Sequence, residues 1–236
     1  SILKHLKLSI DNAIFIDDST FEISSVNRLL PRLETFNFFK YSNLHSNIDK
    51  VLINRNINIT EEDKKRTKLY IQEDFRNIEK KRFKNYQEYI KSLKIILTIK
   101  KNSINNIQRL SQLTLRTNQF NSTTIRLDKS EIKKILKNKK KIIYECSAKD
   151  KFGNYGIIAS AIVNLSMKIS IMTNFLMSCR ALGREIENYF MNYIVIDLKK
   201  KYKVDKLEIL YKKNNKNNLV KKFFSKNFKK ASNTGN

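Results

Sequence analysis

Apolar and polar positions alternate along this chain in two rhythms, and the rhythm changes near residue 92. Before that point, Ala13-Ile14-Phe15-Ile16 is a short apolar run of the buried-strand type, ended abruptly by Asp17-Asp18-Ser19-Thr20. Phe21 to Leu30 has helical spacing, with Ser19 or Thr20 as its cap and Pro31 as its stop. Lys4 to Leu8 also carries apolar residues at helical spacing, and the Asn-rich stretch to about Asn58 has no regular pattern. Thr60-Glu61-Glu62-Asp63 has the form of a helix start, because acidic residues favour the positive end of the helix dipole. The helix it opens runs to about Phe83 with a thin apolar stripe, and Tyr86 to Ser92 is a second short helix.

Beyond residue 92 the pattern predicts strand 93–99, helix 104–117, helix 129–137 capped by Asp128, and strand 141–148. A turn follows at Lys151-Phe152-Gly153-Asn154. Then come strands 156–164 and 168–177, a long helix 183–201, strand 206–211 and helix 217–226, with a frayed tail. The order is that of a mixed α/β (α+β) layer in which an antiparallel meander feeds a helical crossover.

Composition changes this picture little. The chain has 236 residues, of which 41% are hydrophobic, enough for a real core. Its net charge of +26 raises nucleic acid as a partner, but Lys, Ile and Asn are all rich in A and T codons. The charge is spread evenly and Arg is scarce beside Lys, which argues against phosphate and base recognition. No apolar run is long enough to span a bilayer, and no signal peptide is visible. With Cys146 and Cys179 and no CxxC, neither a disulfide framework nor a zinc site is expected, and a cytoplasmic setting is the simple account. The chain opens at Ser1 inside an expected helix, which reads as a fragment of something longer.

Three clusters carry candidate chemistry. Asp17 and Asp18 stand at the carboxyl end of a buried strand, where open α/β sheets bind ligands, and paired carboxylates suit Mg²⁺. Against that stands a solvated loop with Asp as a helix cap. Thr117-Asn118-Gln119-Phe120-Asn121, followed by Ser122-Thr123-Thr124, concentrates amides and hydroxyls at a helix end. Asn118, Gln119 and Asn121 are candidates to read a peptide-like ligand, or else form a polar cap and loop. Ser178-Cys179-Arg180-Ala181-Leu182-Gly183-Arg184 leads a strand into a long helix. Backbone N–H groups there, with Arg180 and Arg184, make an anion cradle. Cys179 at that terminus is a candidate nucleophile, or a small buried hydrophobe.

Taken in order, these pieces resemble the FkbH-like family, haloacid-dehalogenase-like (HAD) proteins of subfamily IIIC. The matching residues are Phe15-Ile16-Asp17-Asp18 with Phe21-Glu22, Thr60 to Thr67 with Tyr70, and Gln112-Leu113-Thr114. They continue through Thr117 to Asn121 with Thr123-Thr124, then Asp150 to Asn154, and Phe175 to Arg180 with Gly183-Arg184. The resemblance implies a truncated HAD part with a Rossmann-like fold over 1–58, a helical linker over 59–91, and a GNAT-like acyltransferase domain over 92–236. It implies that Asp17 and Asp18 help hold Mg²⁺ and that Arg180, Gly183 and Arg184 bind coenzyme A (CoA) or a phosphopantetheine arm. The implied activity removes phosphate from a small phosphorylated three-carbon acyl donor and loads the acyl unit on an acyl carrier protein, in building polyketide extender units. The chain departs from the family in three places. The nucleophilic Asp-x-Asp and catalytic lysine expected upstream of Asp17 are not in it. Glu185 stands where the pyrophosphate loop has Gly or Ala. Asn227-Phe228 replaces a Leu-Gly-Phe close.

Overall fold

The computed structural model describes residues 3, 9–37 and 66–229, in two compact units divided between Asp74 and Phe75. The helix expected at Lys4 to Leu8 and the helix start at Thr60 to Asp63 lie outside the described residues.

In the first unit, strand β1 (Ile14–Asp17), helix α1 (Thr20–Leu29) and strand β2 (Glu34–Asn37) form a β-α-β unit with the strands paired in parallel. Ser19 starts the helix, its hydroxyl accepting from the Glu22 N–H at 3.3 Å.

Two helices follow: α2 (Arg66–Lys80), within which the division falls, and α3 (Tyr86–Leu93) in the second unit. The strand expected from Leu93 starts three residues later, at Ile96. Leu93 is fully buried as the last residue of α3, and Lys94 turns the chain in the left-handed region at φ 51°. A left-handed residue closes a helix and cannot open a strand.

The second unit is one five-stranded sheet in the order β3 (Ile96–Lys101), β4 (Lys141–Asp150), β5 (Gly153–Asn164), β6 (Ile169–Met177), β7 (Lys206–Ile209). The first four strands are antiparallel neighbours, and β6 and β7 run parallel. Alternation along β4 sends Ile142, Tyr144, Cys146 and Ala148 into the larger core, against Phe190, Ile194 and Leu198 of helix α6 (Ile186–Tyr202) and Val220 of helix α7 (Asn218–Asn227). Ile143 points the other way, to Ile107 and Leu110 of helix α4 (Ile107–Arg116) and Ile132 of helix α5 (Lys129–Lys137). Helices therefore cover both faces. Asp128 and Glu131 form a reciprocal capping box at the start of α5.

The β4–β5 hairpin is longer than its pattern suggests, because the Asp150 carboxylate organises the turn. It accepts from the N–H groups of Phe152 and Gly153 at 2.9 and 3.0 Å. The same carboxylate takes both arms of the buried Arg76 guanidinium, at 2.7 and 2.9 Å, and the Tyr155 hydroxyl at 2.6 Å. Burial pushes the Asp150 carboxyl up, but the bonds from Arg76 and Tyr155 outweigh it and hold it below its ordinary value of 3.8. Its contribution to stability is thus fully present above that value and fades as pH falls through the lowered one. Arg76→Met leaves this carboxylate buried without its cation. The expected cost in urea unfolding is about 3–5 kcal/mol. A loss below about 1 kcal/mol would show that the pair is dispensable.

Candidate functional site

Strands β6 and β7 pair only over Ile169–Met172 and Lys206–Ile209, and from there they part. The last three residues of β6, Phe175, Leu176 and Met177, are completely buried. Their backbone is met by the polar segment that follows α4. Ser122 N–H donates to the Phe175 carbonyl at 2.9 Å, Met177 N–H to the Phe120 carbonyl at 2.9 Å, and Asn121 bridges to Leu176 in antiparallel sense. On its far side Ser122 accepts from Lys212 N–H at 2.8 Å, just past β7. The segment fills the opening between the two strands as a short inserted strand.

Phe120 is its apolar anchor. It is 3% exposed, with its ring centroid 6.0 Å from that of Phe175 and 5.5 Å from that of Phe223. Asn121 is its polar anchor, with no exposed surface. Its amide donates to the Thr117 carbonyl at 3.1 Å, while its oxygen accepts from Thr124 N–H and the Asn174 amide at 2.9 and 3.0 Å. Asn121 is therefore spent on the fold. Asn118 is half-buried and accepts from Arg126, whose guanidinium also closes the last carbonyls of α4, at 2.6 Å to Leu115 and 3.3 Å to Thr117. Gln119 is exposed.

The second island is its direct neighbour, since Met177, bonded to Phe120, is followed at once by Ser178. The helix expected from Gly183 starts at Ile186 instead. Cys179–Ala181 is a single 3₁₀ turn, Gly183 takes φ +75°, and Glu185 takes φ +59° at the N-cap of α6. Two left-handed residues in three make a tight loop in front of the helix, and only one of them is glycine.

Cys179 is exposed in that loop, whereas Cys146 is buried in the core, where burial pushes its thiol up to about 12. Arg180 is half-buried. Arg184 is 7% exposed and turned inward, its guanidinium 5.4 Å from the centre of the Tyr155 ring and bonded to the Arg180 carbonyl. The Arg76 guanidinium lies over the same ring at 4.0 Å, so Tyr155 links the loop to the buried ion pair. Glu185 is held by the Gln87 amide of α3 at 2.8 Å. Burial pushes the Glu187 carboxyl up, and the neighbouring Glu185 charge adds to that.

An anion at this helix start would meet Arg180 and the N–H groups ahead of Asn188, whose own N–H donates to the Glu185 carbonyl at 3.1 Å. Two carboxylates, Glu185 and Glu187, would oppose it. Gln87, Tyr155 and Asn174 all shape the site, and none stood out in the sequence. They are scattered single polar residues whose roles come from tertiary contacts.

Asp17 is the last residue of β1, and Asp18 follows it. Asp17 accepts from Ser19 N–H at 2.8 Å, and the Asp18 carbonyl accepts from the Asn37 amide at 3.2 Å. Two carboxylates are a sufficient set for an Mg²⁺ that keeps most of its waters. Among the described residues no group of three or more His, Cys, Asp or Glu gathers there or elsewhere. No helix among them is long and apolar enough to cross a membrane.

No family model matches this sequence, and no curated protein is significantly similar to it. Among solved structures, a ribosomal-protein-alanine N-acetyltransferase from Brucella melitensis biovar Abortus 2308 overlays with a TM-score of 0.47 at 10% identity, over 60% of this chain and 97% of that one. The ribosomal-protein-S18-alanine N-acetyltransferase from Escherichia coli gives 0.46 at 12%, over 58% and 80%. An aminoglycoside N-acetyltransferase in complex with CoA gives 0.43 at 8%, over 60% and 93%.

Replacing Glu185 with glycine removes a left-handed side chain and a negative charge from the start of α6. Inorganic pyrophosphate is expected to bind the Glu185→Gly protein roughly three- to tenfold more tightly in calorimetric titration. Equal or weaker binding would mean that Glu185 does not oppose an anion.

Proposed function

We propose that the second unit handles acyl groups carried on a phosphate-bearing thiol arm, CoA or the phosphopantetheine of an acyl carrier protein. The observation that carries this reading is the loop from Cys179 to Arg184. It sets an exposed thiol, Arg180 and a left-handed glycine in front of a seventeen-residue helix, just past the end of β6. Such a loop suits a phosphate, because the first-turn N–H groups of a helix have no partners within the helix and face its positive end.

When bound, the arm would present a thioester. Arg180 and the N–H groups before α6 would hold its phosphate end. Gly183 leaves backbone exposed where a side chain would stand. Cys179 is the group in the loop able to take an acyl unit. Its sulfur forms a bond to the acyl carbon, the donor's carbon–sulfur bond breaks, and the thiol proton passes to the departing sulfur. The same reading gives Asp17 and Asp18 the task of holding Mg²⁺ near a substrate phosphate. The β-α-β unit would then be part of a HAD-type phosphatase acting on a phosphorylated three-carbon acyl donor, with transfer to the carrier serving polyketide extender-unit synthesis. The positive charge of the chain would steer an acidic carrier toward it.

A second reading is a binding module that holds the arm without chemistry. It is favoured by two carboxylates at the start of α6, Glu185 at its N-cap and Glu187 in its first turn. Mass spectrometry of a carrier protein mixed with this chain and acyl-CoA separates the two. Transfer is expected, with loss in Cys179→Ser and a KM for acyl-CoA about tenfold higher in Arg180→Ala. CoA binding without transfer supports the module, and neither binding nor transfer removes both readings.

A further inference from the structure

An open cleft of about 500 Å³ lies between the inserted segment and the chain leaving β7. It is lined by Thr123, Thr124, Ile125, Leu210, Tyr211 and Lys212. Its volume is in the range of small-molecule sites. Ile125 and Leu210 give it apolar walls and stay 41% and 46% exposed, so their surface is open to a ligand. The only charge in the lining is Lys212, which has no carboxylate partner among the described residues.

The two walls are fixed from behind by three asparagines, Asn121, Asn174 and Asn217, each at most 1% exposed. Asn174 donates to the Asn121 oxygen and to the Thr123 hydroxyl, both at 3.0 Å. Asn217 donates to the carbonyls of Asn121 and Lys212, at 3.1 and 2.9 Å, and accepts from the Tyr211 hydroxyl at 3.2 Å. Thr124 sits between them at φ +55°, a conformation that a β-branched residue adopts only under constraint. The constraint is visible: the Asn121 oxygen holds Thr124 N–H at 2.9 Å. Buried amides that immobilise a strained residue at the wall of a cleft are the marks of a pre-organised site.

We propose that this cleft binds a small organic anion with an apolar body, in its simplest form a short-chain carboxylate. The anionic end pairs with Lys212 and the alkyl chain lies across Ile125 and Leu210. A cationic ligand is disfavoured, because the lining carries no acidic residue to meet it. The proposal does not depend on acyl transfer at the Cys179 loop.

Backbone-amide NMR titration of the whole chain with hexanoate tests it, with hexylamine as the control of equal length and opposite charge. Saturable shifts are expected at Thr123, Thr124, Tyr211 and Lys212 with hexanoate only. Lys212→Gln, at an exposed position that leaves the fold intact, is expected to weaken hexanoate binding about tenfold. Three results would overturn the proposal: no saturable shifts at those amides, equal shifts with hexylamine, or unchanged hexanoate binding by Lys212→Gln.

Discussion

The second half of β6 runs on after β7 has left it and ends in Phe175, Leu176 and Met177, which have no exposed surface. A buried backbone donor or acceptor without a partner costs roughly as much as a lost hydrogen bond, so this edge must be paired by something. The segment Phe120 to Ser122 supplies the pairing, and much of the unit's distinctive geometry follows. It fixes where α4 ends, because Arg126 must close the carbonyls that the departing chain leaves behind. It requires amides inside the protein, because an inserted strand between diverging neighbours has its own backbone groups to satisfy on both sides. Asn217 meets that requirement at the Asn121 carbonyl, while Asn174 holds the Asn121 side chain in place.

The same constraint couples the site to the rest of the unit. The inserted strand bonds to Met177, and the next residues form the Cys179 to Arg184 loop. From the loop, Arg184 reaches the Tyr155 ring, and Tyr155 reaches Asp150 and Arg76. A buried ion pair earns little net stability by itself. Here it fixes the hairpin turn, the helix that carries Arg76 and the ring beneath Arg184 in one arrangement.

The strands and helices of the second unit were largely legible, because alternation along β4 to β6 and the Asp128 cap are local signals. The failures were local rules overridden by tertiary context. Leu93 reads as the start of an apolar run, but it is the buried end of a helix, closed by Lys94 in a left-handed turn. Gly183 reads as helix, but it and Glu185 form the loop that precedes one. The polar island was the hardest case. Its amides look like ligand-reading groups because buried and exposed asparagines are identical in sequence. Phe120 was the hint that the segment goes inward, and Asn174 and Asn217, fifty and a hundred positions away, gave no sign of being its partners.

The proposed site has two parts flanking one inserted strand: the loop before α6, proposed to take a phosphate, and the cleft, proposed to take a small anion. Both rest on that strand being a fixed part of the sheet. Native-state hydrogen exchange at the amides of Ser122 and Met177 tests this most directly. Both should exchange as slowly as the amides paired between β5 and β6, since all would open only with the sheet itself. Exchange at the rate of an exposed loop would contradict the account, because the segment would then leave the strand edge while the rest of the sheet stays folded.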